Sequence, residues 1–183
     1  MEHRGTVRLE TERLILRRFV SEDAQEFFDN WACDPEVARY VTWPAHESAA
    51  VTRDLLEQDW IPRYARPDYY NWAIVWKGTG AVIGNVECFE PRESVGELRL
   101  GYCMSRQFWG RGIMPEAVRE IIRFLFFEVG ANRIQAEHDT RNPKSGRVMQ
   151  KCGMQYEGTL RQKIRTTAGL ADECVYGILK SEF

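Results

Sequence analysis

With 183 residues, 44% of them apolar and 28% charged, the chain has the makeup of a globular domain that can bury a sizeable core. A net charge of −2 supplies no field to gather nucleic acid or anionic membrane, and five scattered cysteines without a CxxC pair argue against a disulfide frame or a zinc knuckle. The opening MEHRGTVRLETERL has no apolar signal core and no run reaches transmembrane length, so the expected location is cytoplasmic.

Residues 9–19 (LETERLILRRF) alternate loosely and predict one strand. SEDAQEFFDNWA follows, with Ser21 as the expected N-cap of a helix and two acids in its first turn. A short helical piece over 34–40 leads to a third helix over 47–64, ended by Pro62 and Pro67.

The character changes at Tyr69. YYNWAIVW, AVIGNVECFE and VGELRLGYCM are rich in β-branched and aromatic residues and are joined by short links, which predicts an antiparallel meander. From Pro115 the period becomes helical, with Ala117, Val118, Ile121, Ile122, Leu125, Phe126 and Val129 on one face and Gly130 as the stop. RIQAEH is a further strand. NPKSGRVMQKCG reads as a short helix with Asn142 at the cap and Pro143 at the first helical position. QYEGTLRQKI and LADECVYGIL are two last strands. Residues 1–183 thus read as one α+β domain without repeats or linkers.

RQFWGRGIMPEAV, at residues 106–118, places two glycines around an arginine at the mouth of the long helix. A helix N-terminus carries unpaired N–H groups and partial positive charge, and glycine lets a ligand come close to the backbone. The guest this suits is phosphate or diphosphate, although a plain strand-to-helix turn would use the same residues. GxxxxGK[ST] is absent, and a GxGxxG fingerprint fails because Pro115 holds the third glycine position. QxxGxG is present as Gln107, Gly110 and Gly112.

LRLGYCMSRQFWGRGIMPEAV, together with RIQAEHDTRNPKSGRVMQKCGMQYEGTLRQ, resembles the GNAT acyltransferases, specifically the RimJ/RimL-type N-acetyltransferases. LETERLILRRFVSEDA and LADECVYGILKSEF extend the resemblance over essentially the whole chain. It implies a mixed, mostly antiparallel twisted sheet flanked by helices, with splayed central strands that hold acetyl-CoA. By resemblance, the amides around Arg111, Gly112 and Ile113 hold the diphosphate, Gln107 and Gly110 shape the loop, and the backbone near Met104 bonds the pantetheine arm. Asn142 would contact that arm, and Ser145 would stand near the sulfur to protonate the departing thiolate.

Acetyl transfer to an amine also needs a group that takes a proton from the acceptor. Relatives carry an acid in a stretch resembling AEIGY, whereas Arg99 stands in its place in LRLGY. Glu97, two residues earlier on the same strand face, ranks first as a substitute; Glu87, Glu137 and His138 follow. Tyr102 reads as core packing. Tyr40 and Trp43 are expected to line the pocket of the acceptor, a protein N-terminus or a small amine, or else to cap the core. A hydrolase triad from His138, Asp139 and Ser145 lacks GxSxG, and His3, His46 and His138 lack metal-ligand spacing. The rival reading is a non-catalytic acyl-CoA-binding regulatory module, kept open by Arg99. A homodimer through the helices or an exposed strand edge also stays open.

Overall fold

The computed structural model describes residues 1–89 and 91–183. Eight strands form one sheet in the order β1-β2-β3-β4-β5-β6-β8-β7. The first two are Leu9–Glu10 (β1) and Leu14–Arg17 (β2), an antiparallel pair with Leu9 opposite Leu16. The single strand expected over 9–19 is therefore a hairpin. Thr11 turns the chain, giving its N–H to the Leu14 carbonyl and accepting the Leu14 N–H on its hydroxyl, each at 3.0 Å.

The N-terminal helices are short and interrupted. Residues Ala24–Phe27 (α1) follow a 3₁₀ turn and run into a π turn over Phe28–Ala32. Ser21 is not the cap: Asp23 accepts the Val20 N–H at 2.9 Å and takes a bidentate bond from Arg17. Asp34 caps Pro35–Ala38 (α2) by accepting the Glu36 N–H. The third expected helix is Ala49–Leu55 (α3), a π turn over Leu56–Trp60 and Ile61–Arg63 (α4), with Pro62 inside the last turn.

The meander is Asn71–Trp76 (β3), Val82–Arg92 (β4) and Glu97–Met104 (β5), all antiparallel. Helix Ile113–Phe127 (α5) starts before Pro115, which sits in the first turn where its missing N–H costs nothing. Arg133–Asp139 (β6) runs parallel to β5, the one parallel pair among the described residues, as a helical crossover requires. Pro143–Lys151 (α6) precedes Gln155–Thr166 (β7) and Gly169–Leu179 (β8), and β8 inserts between β6 and β7.

The sheet buries both faces over part of its width. Leu98, Leu100, Ile121, Ile122, Leu125 and Ile134 join α5 and α6 to one face. Phe19, Phe27, Trp31, Leu56, Tyr64 and Tyr69 pack α1, α3 and α4 on the other, with Phe27 stacked on Trp31 at 4.3 Å. Between β5 and β6 the pairing runs from Glu97–Arg133 to Leu100–Ala136 and stops. Ser105 gives its N–H to Ile83 at 2.9 Å, so Cys103 and Ser105 turn their backbone toward β4. Tyr102 and Met104 turn theirs toward the gap beside β6. The splay sits where the sheet meets the α5 mouth. No helix among the described residues is long and apolar enough to cross a membrane.

Candidate active site

A cleft of about 660 Å³ opens at the splay. Tyr102, Cys103 and Met104 of β5 form one wall, the mouth of α5 a second, and Asn142, Ser145 and Val148 at the start of α6 a third. Glu36, Arg39, Tyr40 and Val41 of the α2 segment close the far side.

The α5 mouth is built from backbone. Gly110 and Gly112 have φ of +76° and +73°, a left-handed conformation that other residues adopt only with strain. An ideal Cβ at Gly110 would meet nothing within 4 Å, so the conformation and not crowding demands glycine there. Gly112 occupies the N-cap, no side chain caps the first N–H groups of α5, and Gly112, Ile113 and Met114 line the cleft. Arg13 braces the loop from behind. It donates to the Arg111 carbonyl at 3.1 Å and pairs with Glu116 at 2.6 Å. Across the mouth, the Lys144 ammonium lies 4.8 Å from the Trp109 ring centroid, and the Trp109 indole donates to the Met104 carbonyl at 2.9 Å. This set of bared amides, left-handed glycines and nearby cations fits an anionic group.

At the α6 end, Asn142 occupies the N-cap but its side chain makes no cap bond, which leaves its amide for the cleft. Ser145 Oγ donates to Tyr102 Oη at 3.0 Å, and Tyr102 in turn donates to the Ser145 carbonyl at 2.9 Å. Burial pushes the Tyr102 phenol well above its usual range, against the bond from Ser145, so it stays protonated. The Cys103 thiol, also on the wall, is pushed up to about 12 by burial and by Glu87, and is not a thiolate at neutral pH.

The two ends are tied together. Arg106 of the loop pairs with Asp34, the α2 cap, at 2.5 Å. The β7–β8 turn clasps the segment after α2: Thr167 and Ala168 give their N–H groups to Val41 and Arg39 at 3.0 and 3.1 Å.

Of the residues singled out in the sequence, Met104, Gly110, Gly112, Ile113, Asn142, Ser145 and Tyr40 meet at this cleft. Gln107 and Arg111 are exposed on the outside of the loop, with the Arg111 guanidinium over Phe108. Trp43 packs by His46 against the N-terminal core and does not line the cleft. Glu97, ranked first as proton acceptor, is not brought to the cleft. It lies at the opposite end of β5 from Met104, roughly 23 Å away along the strand. There Arg133 and Arg92 hold it at 2.7 and 3.2 Å. Tyr102, Trp109, Arg39 and Lys144 are among the cleft residues that the sequence did not assign to the site; of these four only Tyr102 carried a signal, as a tyrosine next to the splay.

The Acetyltransferase (GNAT) domain family matches residues 13–155, a span that includes the glycine mouth and the whole of α6. The chain belongs to the GNAT acetyltransferase family. It is 31% identical over 176 residues to the uncharacterized N-acetyltransferase p20 of Bacillus licheniformis, covering 96% of this chain and 97% of that one. Its fold is shared with the ribosomal-protein-S5-alanine acetyltransferase of Vibrio fischeri, at a TM-score of 0.84 and 22% identity over 96% of this chain and 98% of that one. It is also shared with the microcin C7 self-immunity acetyltransferase MccE, solved with acetyl-CoA and AMP, at a TM-score of 0.82 and 19% identity over 92% and 93%. The GNAT chain described here is thus an acyltransferase of one mixed, mostly antiparallel domain, and these likenesses lend no support to a non-catalytic module.

Proposed function

We propose that this GNAT domain moves the acetyl group of acetyl-CoA directly to the amine of an acceptor, either a protein N-terminus or a small molecule. The observation that carries this is the uncapped, doubly left-handed α5 mouth opening into the same cleft as the free edge of β5 and the Ser145–Tyr102 pair. The amides of Gly112 and Ile113 hold the diphosphate, with Gly110 keeping the approach open. Gln107 and Arg111 contribute through the course of their backbone. The cleft-facing edge at Met104 bonds the pantetheine arm and offers a donor to the carbonyl oxygen as it gains charge. Asn142 fixes the arm from the other wall, and Ser145, backed by the Tyr102 hydroxyl, delivers a proton to the sulfur. Half-buried, protonated Cys103 supports attack by the amine itself rather than by an enzyme thiolate.

Tyr40, with Arg39 and Val41, forms the acceptor end, and Trp43 supports it from behind. The fold shared with a ribosomal-protein acetyltransferase makes peptide N-termini the first acceptors to try. Free cysteines fit a cytoplasmic location. Calorimetric titration with acetyl-CoA, against NADH as control, tests the reading: saturable binding of acetyl-CoA alone supports it, and no binding overturns it.

A further inference from the structure

An acceptor amine reaches the cleft as an ammonium and must lose a proton before it can attack. With Arg99 in the place of the family's acid, another group has to take that proton. The candidates separate by position. Glu97 is ion-paired at the far end of β5. Glu137 lies 3.7 Å from Arg99. His138 bonds the Asp139 carbonyl through Nδ1 and packs under α6, where a Cβ on Gly146 would come within 2.6 Å of its ring.

Glu87 stands elsewhere. On β4 it lies opposite Asn71 of β3 and Gly101 of β5, and Asn85, two residues along, lies opposite the cleft residue Cys103. Directly opposed residues share a face, so Glu87 shares with Cys103 the face of the sheet that the N-terminal helices cover, behind the cleft wall that Cys103 forms. It is level with a point roughly 10 Å along β5 from Met104, against about 17 Å for Arg99. Gly101 puts no side chain of its own beside it, and the Phe89 ring lies over Gly101, where a Cβ would come within 2.5 Å of the ring. The groups that face Glu87 are the Tyr69 and Tyr64 phenols, Arg63 and Asp59 from the N-terminal helices, and Cys103 and Arg99 from β5; Cys88 is its neighbour on β4.

We propose that Glu87 takes up, through an intervening water, the proton shed by the acceptor ammonium. This rests on the acetyltransferase reading above. Ammonium and carboxylate become amine and carboxylic acid. The amine lone pair then forms the N–C bond, and the C–S pair leaves on sulfur. The nitrogen's second proton balances the one that sulfur takes up, and Glu87 returns its own to solvent. Burial supports the role: it raises Glu87 to about 7, with Arg63 opposing and Asp59 reinforcing, so the carboxylate is a competent base at neutral pH.

The test measures acetyl transfer from saturating acetyl-CoA to n-butylamine and to a peptide with a free N-terminal alanine, between pH 5.5 and 9.5. Wild type should rise through a midpoint near pH 7. Glu87→Gln should lose about 100-fold at pH 7, with the deficit shrinking as the amine deprotonates unaided, while acetyl-CoA affinity is unchanged; Glu87→Asp should restore part of the rate. A loss by one factor at every pH, or no loss, overturns the role of Glu87 alone. A wild-type protein that transfers to neither amine overturns the transferase reading and this role with it. In wild type, a Glu87 carboxyl ¹³C signal titrating near 4.5 rather than 7 would also overturn it.

Discussion

The two ends of the cleft are made of different materials. At the α5 mouth the lining is backbone: two left-handed glycines, uncapped N–H groups and a stretch of β5 that β6 does not pair. At the far end the lining is side chains from α2, the segment after it and β5, brought together by a hairpin clasp and the Arg106–Asp34 pair. Backbone recognition tolerates few residues at the glycines and is indifferent to the side chains around them. Side-chain recognition can change one residue at a time without disturbing the neighbouring mouth. Arg99, in place of the family's acid, and the proposed alternative Glu87 are side chains as well and can change in the same way.

The sharpest break in the comparison is at the backbone end. Gly112→Glu places a carboxylate against the expected diphosphate, and acetyl-CoA affinity should fall at least 100-fold by calorimetry, about 3 kcal/mol. Strain alone at a left-handed position costs about 1–2 kcal/mol, so Gly112→Asn serves as the control. Asparagine tolerates that conformation and adds no charge, and it should retain most of the affinity. If both variants bind like wild type, the mouth is only a turn.

Among the side chains, Glu87 makes a prediction about stability. A carboxyl raised from 4.5 to about 7 binds its proton more tightly in the folded chain than in the unfolded one. Stability is therefore full below pH 4.5 and falls as pH rises to about 7, by at most ~3 kcal/mol. Glu87→Gln should remove that loss and raise Tm at pH 8 while leaving it unchanged at pH 4.5. Equal melting curves at pH 8 would mean that Glu87 is already solvated like an ordinary carboxylate.

Between the two ends, Ser145→Ala should lower turnover about 10-fold and leave acetyl-CoA affinity alone, because a thiolate departs fairly well without help. Tyr102→Phe should give a similar loss, since the two hydroxyls act as a pair. Rates equal to wild type in both would return Ser145 to an ordinary first-turn residue of α6.

From β3 onward the fold was legible because strand alternation, helical period and glycine stops are local signals. The N-terminal hairpin was not. Its turn is held by Thr11 and Arg13 bonding Glu116, more than a hundred residues away, and nothing near Thr11 announces that. The glycine mouth was legible because its demand is on the backbone and few residues meet it. The order among the proton-acceptor candidates was not, for a reason specific to strands. Alternation tells which face Glu97 shares, but not how far along β5 the splay begins; that is set by where β6 stops pairing, at Ala136. The Tyr102 hydroxyl was hidden in an apolar-looking run, and its partner lies on α6.

The smallest effect on rate is expected at Glu97, which makes it a useful boundary for the active region. Its carboxylate is largely buried and bonded to Arg133 and Arg92, so Glu97→Gln should cost about 1–2 kcal/mol of stability by urea unfolding. Arg133 keeps Glu157 as a second partner, which limits the damage to the β5–β6 end of the sheet. At roughly 23 Å from Met104 along the strand, the lost charge has no route to the reacting amine. The pH dependence of the variant should therefore overlay that of wild type, where Glu87→Gln departs from it. A flattened alkaline rise in Glu97→Gln would move the proton acceptor back to β5 and show that charge at the paired end of the sheet reaches the splay.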